Sequence, residues 1–165
     1  MRIKYLVLTI FGFFSIWNAN AKMEDWQNPE VIERGRMPMS ATFVTEQQKT
    51  LTLNGTWKFK WNETIEGRQR DFHAVNFDDS LWDTMPVPGM WELNGYGDPV
   101  YLNVGYAWRG HYKNNPPFPP VEHNYVGQYR RNFTIDKSWD GKQICLNIGS
   151  ATSNVRVWIN GKEVG

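Results

Sequence analysis

Cysteine is almost missing from this chain, because Cys145 is the single example among 165 residues. One thiol cannot form an intrachain disulfide, and it cannot supply the paired cysteines of a structural zinc site. An excess of charge is missing as well, since 18 lysines and arginines balance 17 aspartates and glutamates. A nucleic acid and an anionic membrane surface are therefore not expected as partners.

Long apolar runs are confined to the start of the chain. The positive segment Met1–Lys4 precedes an apolar stretch from Tyr5 to Trp17, and Ala19-Asn20-Ala21 is a small-x-small cleavage site. The apolar stretch is shorter than the roughly 20 residues of a membrane-spanning helix, and this order of features is typical of a secretory signal peptide. We expect residues 1–21 to be removed and the protein to be exported, either periplasmic or secreted, with no membrane attachment afterwards. A buried N-terminal helix is the alternative.

Aromatic residues, in contrast, are abundant, with nine Trp, nine Phe and seven Tyr. They provide the apolar area that a domain without disulfides needs for its core. Residues 22–50 lack periodicity and predict an extended arm. Strand signals begin at Leu51–Leu53, and a turn at Asn54-Gly55 follows. Trp57, Phe59 and Trp61 then alternate with lysines, which predicts a half-buried strand with these three rings in the core.

Three later segments also alternate apolar with polar residues and predict strands: 127–135, 143–148 and 155–159. Asn160-Gly161 is the strongest short signal for a hairpin and predicts a returning strand from Lys162 onward. The sequence given stops at Gly165, just inside that strand. We therefore expect it to be the front of a longer protein.

The region between these strands predicts irregular structure. Residues 77–82 indicate a capped helical turn with Asp79 or Ser80 as the cap, and Pro86 and Pro88 predict that nothing regular follows. Residues 94–125 form a long connection with five prolines, four glycines and seven aromatic residues. Connections of this length are often functional. Rigid loops with aromatic faces and an amide, here Asn103, are typical of sugar sites.

A series of short motifs resembles the N-terminal sugar-binding domain of glycoside hydrolase family 2. Two of them, Tyr101–Val104 and Asn115–Pro120, are similar to the large β-galactosidases within that family. Each motif alone is weak, but their order along the chain from about Asp25 is specific. The other motifs are Leu53–Phe59, Val87–Trp91, Gly127–Arg131 with Phe133, and Val157–Gly165.

The resemblance implies an all-β fold, a jelly-roll β-sandwich resembling a galactose-binding domain, incomplete at its C-terminus. The arm would cover residues 22–50 and the sandwich residues 51–165. In the family, immunoglobulin-like domains and a (β/α)8 barrel follow, and the barrel carries two glutamates that act by a retaining mechanism. No catalytic residue is therefore expected within these 165 residues.

The resemblance also implies which residues contact the sugar. An asparagine in the motif that matches Tyr101–Val104 contacts the galactosyl group in β-galactosidases, and this role transfers to Asn103. Tyr101 is a second candidate, since its ring could stack on the sugar. Without the resemblance, Asn103 is better explained as a loop residue that caps a turn. Trp91 is expected to pack against the sheet.

Other polar residues near this region carry no assigned chemistry. Glu92 and Asp98 lack a second carboxylate at a defined separation, and His111 and His123 lack the spacing of metal ligands. No metal ligand and no cofactor is visible in the sequence. Mg²⁺ and Na⁺ are implied by the resemblance alone, and for the full-length parent.

The sequence thus predicts the front of an exported retaining β-galactosidase, whose partners are a β-galactoside substrate and downstream domains of the same chain. A homo-oligomer is compatible with the sequence, which does not specify one. The alternatives are a family 2 enzyme for another sugar (a β-glucuronidase or β-mannosidase), a non-catalytic carbohydrate-binding sandwich, and a purely structural domain.

Overall fold

A computed structural model describes residues 24–38, 49–98, 122–152 and 154–165. In these ranges, strands β1 (Gly55–Asn62), β2 (Asp83–Val87) and β3 (Val126–Arg130) form an antiparallel sheet in the order β2-β1-β3. Strands β4 (Trp158–Ile159) and β5 (Lys162–Glu163) form a separate hairpin. The remaining regular elements are short 3-10 helices at Asp25–Gln27, Glu92–Asn94 and Lys137–Trp139.

The prediction of an all-β fold is confirmed, because the described residues form strands and 3-10 turns in the manner of a β-sandwich fragment. Their longest helix has three residues. None of the helices in this part of the chain has the length and apolar character needed to cross a membrane.

The first face of the sheet carries the aromatic core that the alternation in β1 predicts. Phe59 is fully buried, and Trp57 and Trp61 beside it are half-buried. The register places Tyr129 opposite Phe59 and Met85 opposite Trp57, so that their side chains lie on the same face. Met85 is fully buried as well. Full burial of one such side chain is worth about 1.5–3 kcal/mol.

The second face of the sheet is also covered, although the sequence predicts β1 to be buried on one face only. Gln128 is only 2% exposed, and its side-chain oxygen accepts hydrogen bonds from Nδ2 of Asn62 at 3.1 Å and from the backbone N–H of Gln69 at 3.0 Å. Its amide nitrogen donates to the carbonyl oxygen of Gln69 at 2.7 Å. The bonds hold the segment before β2 against this face, and they satisfy polar groups that would be costly to bury alone.

Arg130 fastens the same segment further along. Its Nε donates to the Asp79 carboxylate at 2.7 Å, and its Nη1 donates to the carbonyl oxygens of Phe72 and Ala74. Asp79 therefore pairs with a cation and does not cap a helix, so the predicted cap at Asp79 or Ser80 is wrong. These residues form a turn and not a helix, and the side chain that accepts a backbone N–H there is Asp78, whose Oδ1 bonds to the N–H of Ser80 at 2.9 Å. That bond lowers the pKa of Asp78 from its ordinary value.

Strand β2 contradicts the expectation that Pro86 and Pro88 exclude regular structure. Pro86 lies inside the strand, opposite Thr56 of β1. Among the described strands, β2 lies at the edge of the sheet, where a residue without an N–H is tolerated because one side of the strand needs no ladder bond. The strand predicted to begin at Leu51–Leu53 is also wrong in its start, because β1 begins only at Gly55.

The strands predicted near the end of the described chain are shorter than their patterns or missing. Strand β3 ends at Arg130, and β4 contains only two residues. Residues 143–148 form no strand, and Ile144, Leu146 and Ile148 remain 48%, 46% and 45% exposed. Alternation becomes a strand only where a neighbour accepts its ladder bonds and covers its apolar face, and the described residues offer none here.

The predicted hairpin is confirmed. Asn160 and Gly161 both have positive φ, 50° and 80°, as a two-residue hairpin turn of type I′ requires. Backbone bonds between Val157 and residues Val164 and Gly165 continue the pairing beyond β4. The hairpin packs through Trp158, whose ring lies 5.2 Å from that of Phe72.

The start of the described chain is fastened by Glu24. Its carboxylate accepts from Nη2 of Arg68 at 2.8 Å, from Arg70 at 3.2 Å and from the Trp26 indole at 3.1 Å, and Arg156 lies 3.7 Å away. Burial opposes ionisation of Glu24, but the Arg68 charge and the three hydrogen-bond donors together lower its pKa from the ordinary value.

This contact predicts a pH-dependent stability. A carboxyl group with a lowered native pKa contributes stability above its unfolded pKa, and the contribution is lost as the pH falls through the native pKa. We expect Glu24→Gln to lower the thermal midpoint of the full-length protein at neutral pH. The difference from wild type should shrink as the pH falls below the ordinary glutamate value of 4.5. Glu33→Gln, which removes an exposed pair with Arg36, is the control with little effect. Equal midpoints for Glu24→Gln and wild type at neutral pH would refute this role.

Candidate sugar-site scaffold

The segment Met90–Asp98 lies on the aromatic face of the sheet, where Trp91 is its first anchor. The Trp91 indole packs on Gly127 of β3, and a Cβ there would lie only 2.7 Å from the ring. Its Nε1 donates to the hydroxyl of Tyr129, and the ring lies 6.4 Å from that of Phe59. Trp91 therefore packs against the sheet, as the sequence predicts, and does not form an open stacking surface.

Tyr96 is the second anchor. Its ring packs edge-on against Phe59 with the centroids 4.9 Å apart, and its hydroxyl donates to Asp83 of β2 at 3.1 Å. The chain reaches this position through Gly95, which ends the 3-10 helix Glu92–Asn94 with a φ of 86° that favours glycine. Burial, reinforced by the Asp83 carboxylate, raises the pKa of Tyr96.

Burial also raises the pKa of Tyr129, although the Trp91 donor opposes it, and the Glu92 charge adds to the increase. Both phenols consequently stay protonated at neutral pH. The scaffold is therefore an aromatic surface of neutral rings, and its phenolic oxygens serve as hydrogen-bonding groups and not as bases.

The third anchor joins described residues on either side of the segment 99–121. The Tyr125 hydroxyl donates to the carboxylate of Asp98 at 2.5 Å, and His123 Nδ1 lies 2.9 Å from the same hydroxyl. Asp98 and Tyr125 are 27 positions apart in the sequence. The Tyr125 ring lies 5.0 Å from that of Trp61 in β1, so the sheet supports this contact too.

The two predicted sugar contacts, Tyr101 and Asn103, lie outside the described residues, as does His111. They follow Asp98 by three and five positions in the sequence. The described scaffold therefore positions the start and the end of the segment that carries them. Sequence reasoning missed the contact between Asp98 and Tyr125, because no spacing rule relates residues so far apart.

The described residues of this scaffold can hold neighbouring chain segments in place, and they do not form a metal site. No group of three or more His, Cys, Asp or Glu side chains within residues 24–38, 49–98, 122–152 and 154–165 is arranged to hold a metal ion. The Asp98 carboxylate, the one nearest to the predicted contacts in sequence, accepts a hydrogen bond from a phenol. In this part of the chain the arrangement provides packing and hydrogen-bonding contacts, and no acid–base pair is found among the described side chains.

Comparison with known proteins agrees with this picture. The sequence model of the family described as glycosyl hydrolases family 2, sugar binding domain, matches residues 50–165. A β-galactosidase of Priestia megaterium is 35% identical over 160 residues, which cover 89% of this chain and 16% of that protein. A β-galactosidase of Halalkalibacterium halodurans is 36% identical over 69% of this chain and 11% of its own length.

A third relative is the β-galactosidase large subunit of Leuconostoc lactis, which is 30% identical over 88% of this chain and 26% of its own length. The chain thus spans about a quarter or less of the length of the curated relatives described here.

Proposed function

This chain belongs to family 2 of the glycosyl hydrolases and carries their sugar-binding domain, and from this premise we propose that it is the N-terminal part of a β-galactosidase. The full-length protein would hydrolyse terminal β-D-galactosides. The observation that carries the proposal is the similarity to proteins named β-galactosidase over 69–89% of the chain. The family match covers residues 50–165, which is the predicted sandwich with only the last residue of the N-terminal arm.

The proposed role of the domain is to hold a sugar-contacting segment. Asn103 contacts hydroxyl groups of the terminal galactosyl unit, and Tyr101 lies against the sugar ring. A side-chain amide offers both donors and an acceptor, so one residue can fix the orientation of two neighbouring hydroxyls. Such a contact raises the rate where it holds the distorted transition state better than the ground state.

The bond cleavage itself is assigned to residues beyond Gly165. Two glutamates of a downstream barrel would act as acid/base and nucleophile, with retention of anomeric configuration. Mg²⁺ and Na⁺ remain proposals for the full-length parent. The described residues offer no metal-binding cluster that fits them.

The proposal includes the context in which the enzyme acts. The leader 1–21 directs export to the periplasm or the medium, so the substrates are galactosides outside the cytoplasm. The downstream domains of the same chain are the first partners of this domain, and assembly into a homo-oligomer is compatible with it.

Hydrolysis of a panel of nitrophenyl glycosides by the purified full-length protein tests the proposal. We expect kcat/KM for the β-D-galactoside to exceed that for the β-D-glucuronide and β-D-mannoside by at least about 100-fold, because a site built to bond a particular hydroxyl pattern rejects the others. Proton NMR should show the β anomer of galactose as the first product. A preference for the glucuronide or the mannoside would show that the protein is a family 2 enzyme with a different sugar specificity. Galactose binding without hydrolysis of any substrate would indicate a non-catalytic carbohydrate-binding protein.

A further inference from the structure

We propose that Asp98 and Tyr125 form a positioning pair that fixes the two ends of the segment 99–121 relative to each other, and with them the sugar contact Asn103. The role assigned to Asn103 rests on the proposed function. The pair itself does not, because it is a feature of the described geometry. Asp98 and Tyr125 would not touch the substrate.

The contact has the character of a strong hydrogen bond. The Tyr125 hydroxyl lies 2.5 Å from Oδ2 of Asp98, which is the distance typical of a phenol or alcohol that donates to a carboxylate. His123 is close to both groups, since its Nδ1 lies 2.9 Å from the Tyr125 hydroxyl and 3.6 Å from the Asp98 carboxylate. Three side chains from both ends of the segment therefore meet at one point.

The Tyr125 side of the pair is fixed to the sheet. Tyr125 directly precedes β3, and its ring packs on Trp61 of β1. The Tyr125 ring also lies against the backbone at Gly97, where a Cβ would be 3.3 Å from the ring carbons. Gly97 also has a φ of 68°, a conformation that disfavours a side chain. The contacts with Trp61 and Gly97 thus restrict the position of the ring and of its hydroxyl.

The Asp98 side is fixed through the anchors before it. Tyr96, two residues earlier, packs its ring on Phe59, a contact that does not need the hydroxyl. The Asp98 side chain is 65% exposed, and His123 Nδ1 lies 3.6 Å from its carboxylate. The bond from Tyr125 is the described contact that joins this end of the segment to the other.

The position of Asp98 limits that of Asn103. Five residues of extended chain span at most about 18 Å, so a shift at Asp98 is passed on over a short length of chain. Misplacement of a contacting group by about 1 Å is enough to lower a rate strongly. Joining the ends also removes conformational freedom from the intervening residues, which would otherwise oppose binding.

Tyr96 provides a matched control for Tyr125. Each is a tyrosine that donates to an aspartate and packs on the aromatic face. The Tyr96 bond, however, joins the chain to β2 and does not bridge residues 99–121. Tyr125→Phe and Tyr96→Phe therefore remove the same hydroxyl chemistry, and only the first removes the link between the two ends.

Limited trypsin digestion of the full-length protein is the direct test. Arg109 and Lys113 are the tryptic sites between Asp98 and Tyr125, and mass spectrometry reports cleavage at each. We expect Tyr125→Phe to accelerate native-state cleavage at these sites about three- to tenfold, the effect of losing one hydrogen bond. Tyr96→Phe should leave the rate near that of wild type. Asp98→Asn, which keeps an acceptor without the charge, should fall between wild type and Asp98→Ala.

Kinetics on a nitrophenyl β-D-galactoside supply the second readout. Tyr125→Phe should lower kcat/KM by a similar factor, with the thermal midpoint unchanged. If trypsin cleaves Tyr125→Phe at the wild-type rate, Asp98 and Tyr125 do not form a positioning pair. Faster cleavage with unchanged kinetics would overturn its link to Asn103. If Asn103→Ala itself has no effect on hydrolysis, the proposed function fails, and the trypsin rates still decide whether the pair exists.

Discussion

Replacement of Phe59 by alanine is expected to destabilise the domain by about 3–5 kcal/mol, the usual cost of removing a buried aromatic ring. Phe59 has no exposed surface, and its ring lies against those of Tyr96 and Tyr129 at 4.9 and 4.8 Å and that of Trp91 at 6.4 Å. These are the residues that seat the segment Met90–Asp98. The cavity would therefore loosen the sheet and the scaffold beside it together.

Amide hydrogen exchange in β1 is the appropriate measurement, because it reports the opening of this domain within a longer protein. The matched control is Phe133→Ala, since the Phe133 side chain is 42% exposed and the same truncation there should cost about 1 kcal/mol or less. Equal effects of the two substitutions on β1 exchange would show that Phe59 is not the centre of the core.

Part of this fold follows directly from local sequence. The alternation of Trp57, Phe59 and Trp61 determines the central strand, because a period of two places all three rings on one face. Asn160-Gly161 determines the hairpin turn, because both residues accept the positive φ that a type I′ turn needs. In both cases the signal and the structure lie within the same few residues.

Other elements depend on neighbours that the sequence does not reveal. Pro86 is compatible with a strand because β2 lies at the edge of the sheet that the described residues form. The burial of the polar residue Gln128 depends on the hydrogen bonds that Asn62 and Gln69 supply. The alternating pattern at residues 143–148 does not form a strand, since no described strand pairs with it.

The candidate site divides in the same way. Tyr101 and Asn103 were identified through family motifs, and their roles stay predictions because they lie outside the described residues. The contact between Asp98 and Tyr125 could not be predicted from the sequence, because it depends on the sheet register that places Gly127 beside Trp61. Local pattern thus indicated the segment, and tertiary structure was needed to find what holds it.

Replacement of Asn103 by alanine should lower kcat/KM for a nitrophenyl β-D-galactoside about five- to tenfold in the full-length protein. This is the effect of losing one good hydrogen bond of about 1 kcal/mol, and it grows if the bond is stronger in the transition state. The thermal midpoint should not change, because the amide is proposed to contact substrate and not the core. Steady-state kinetics and thermal unfolding on the same preparations provide both values.

Asn114→Ala removes the same side chain from the same segment, outside the motif that matches the β-galactosidases, and is therefore the control. The central claim is that this domain contributes a sugar contact to a β-galactosidase, and kcat/KM of these two variants against wild type tests it most directly. A selective loss in Asn103→Ala is the predicted result. Wild-type kinetics in Asn103→Ala, or the same loss in both variants, would contradict the claim.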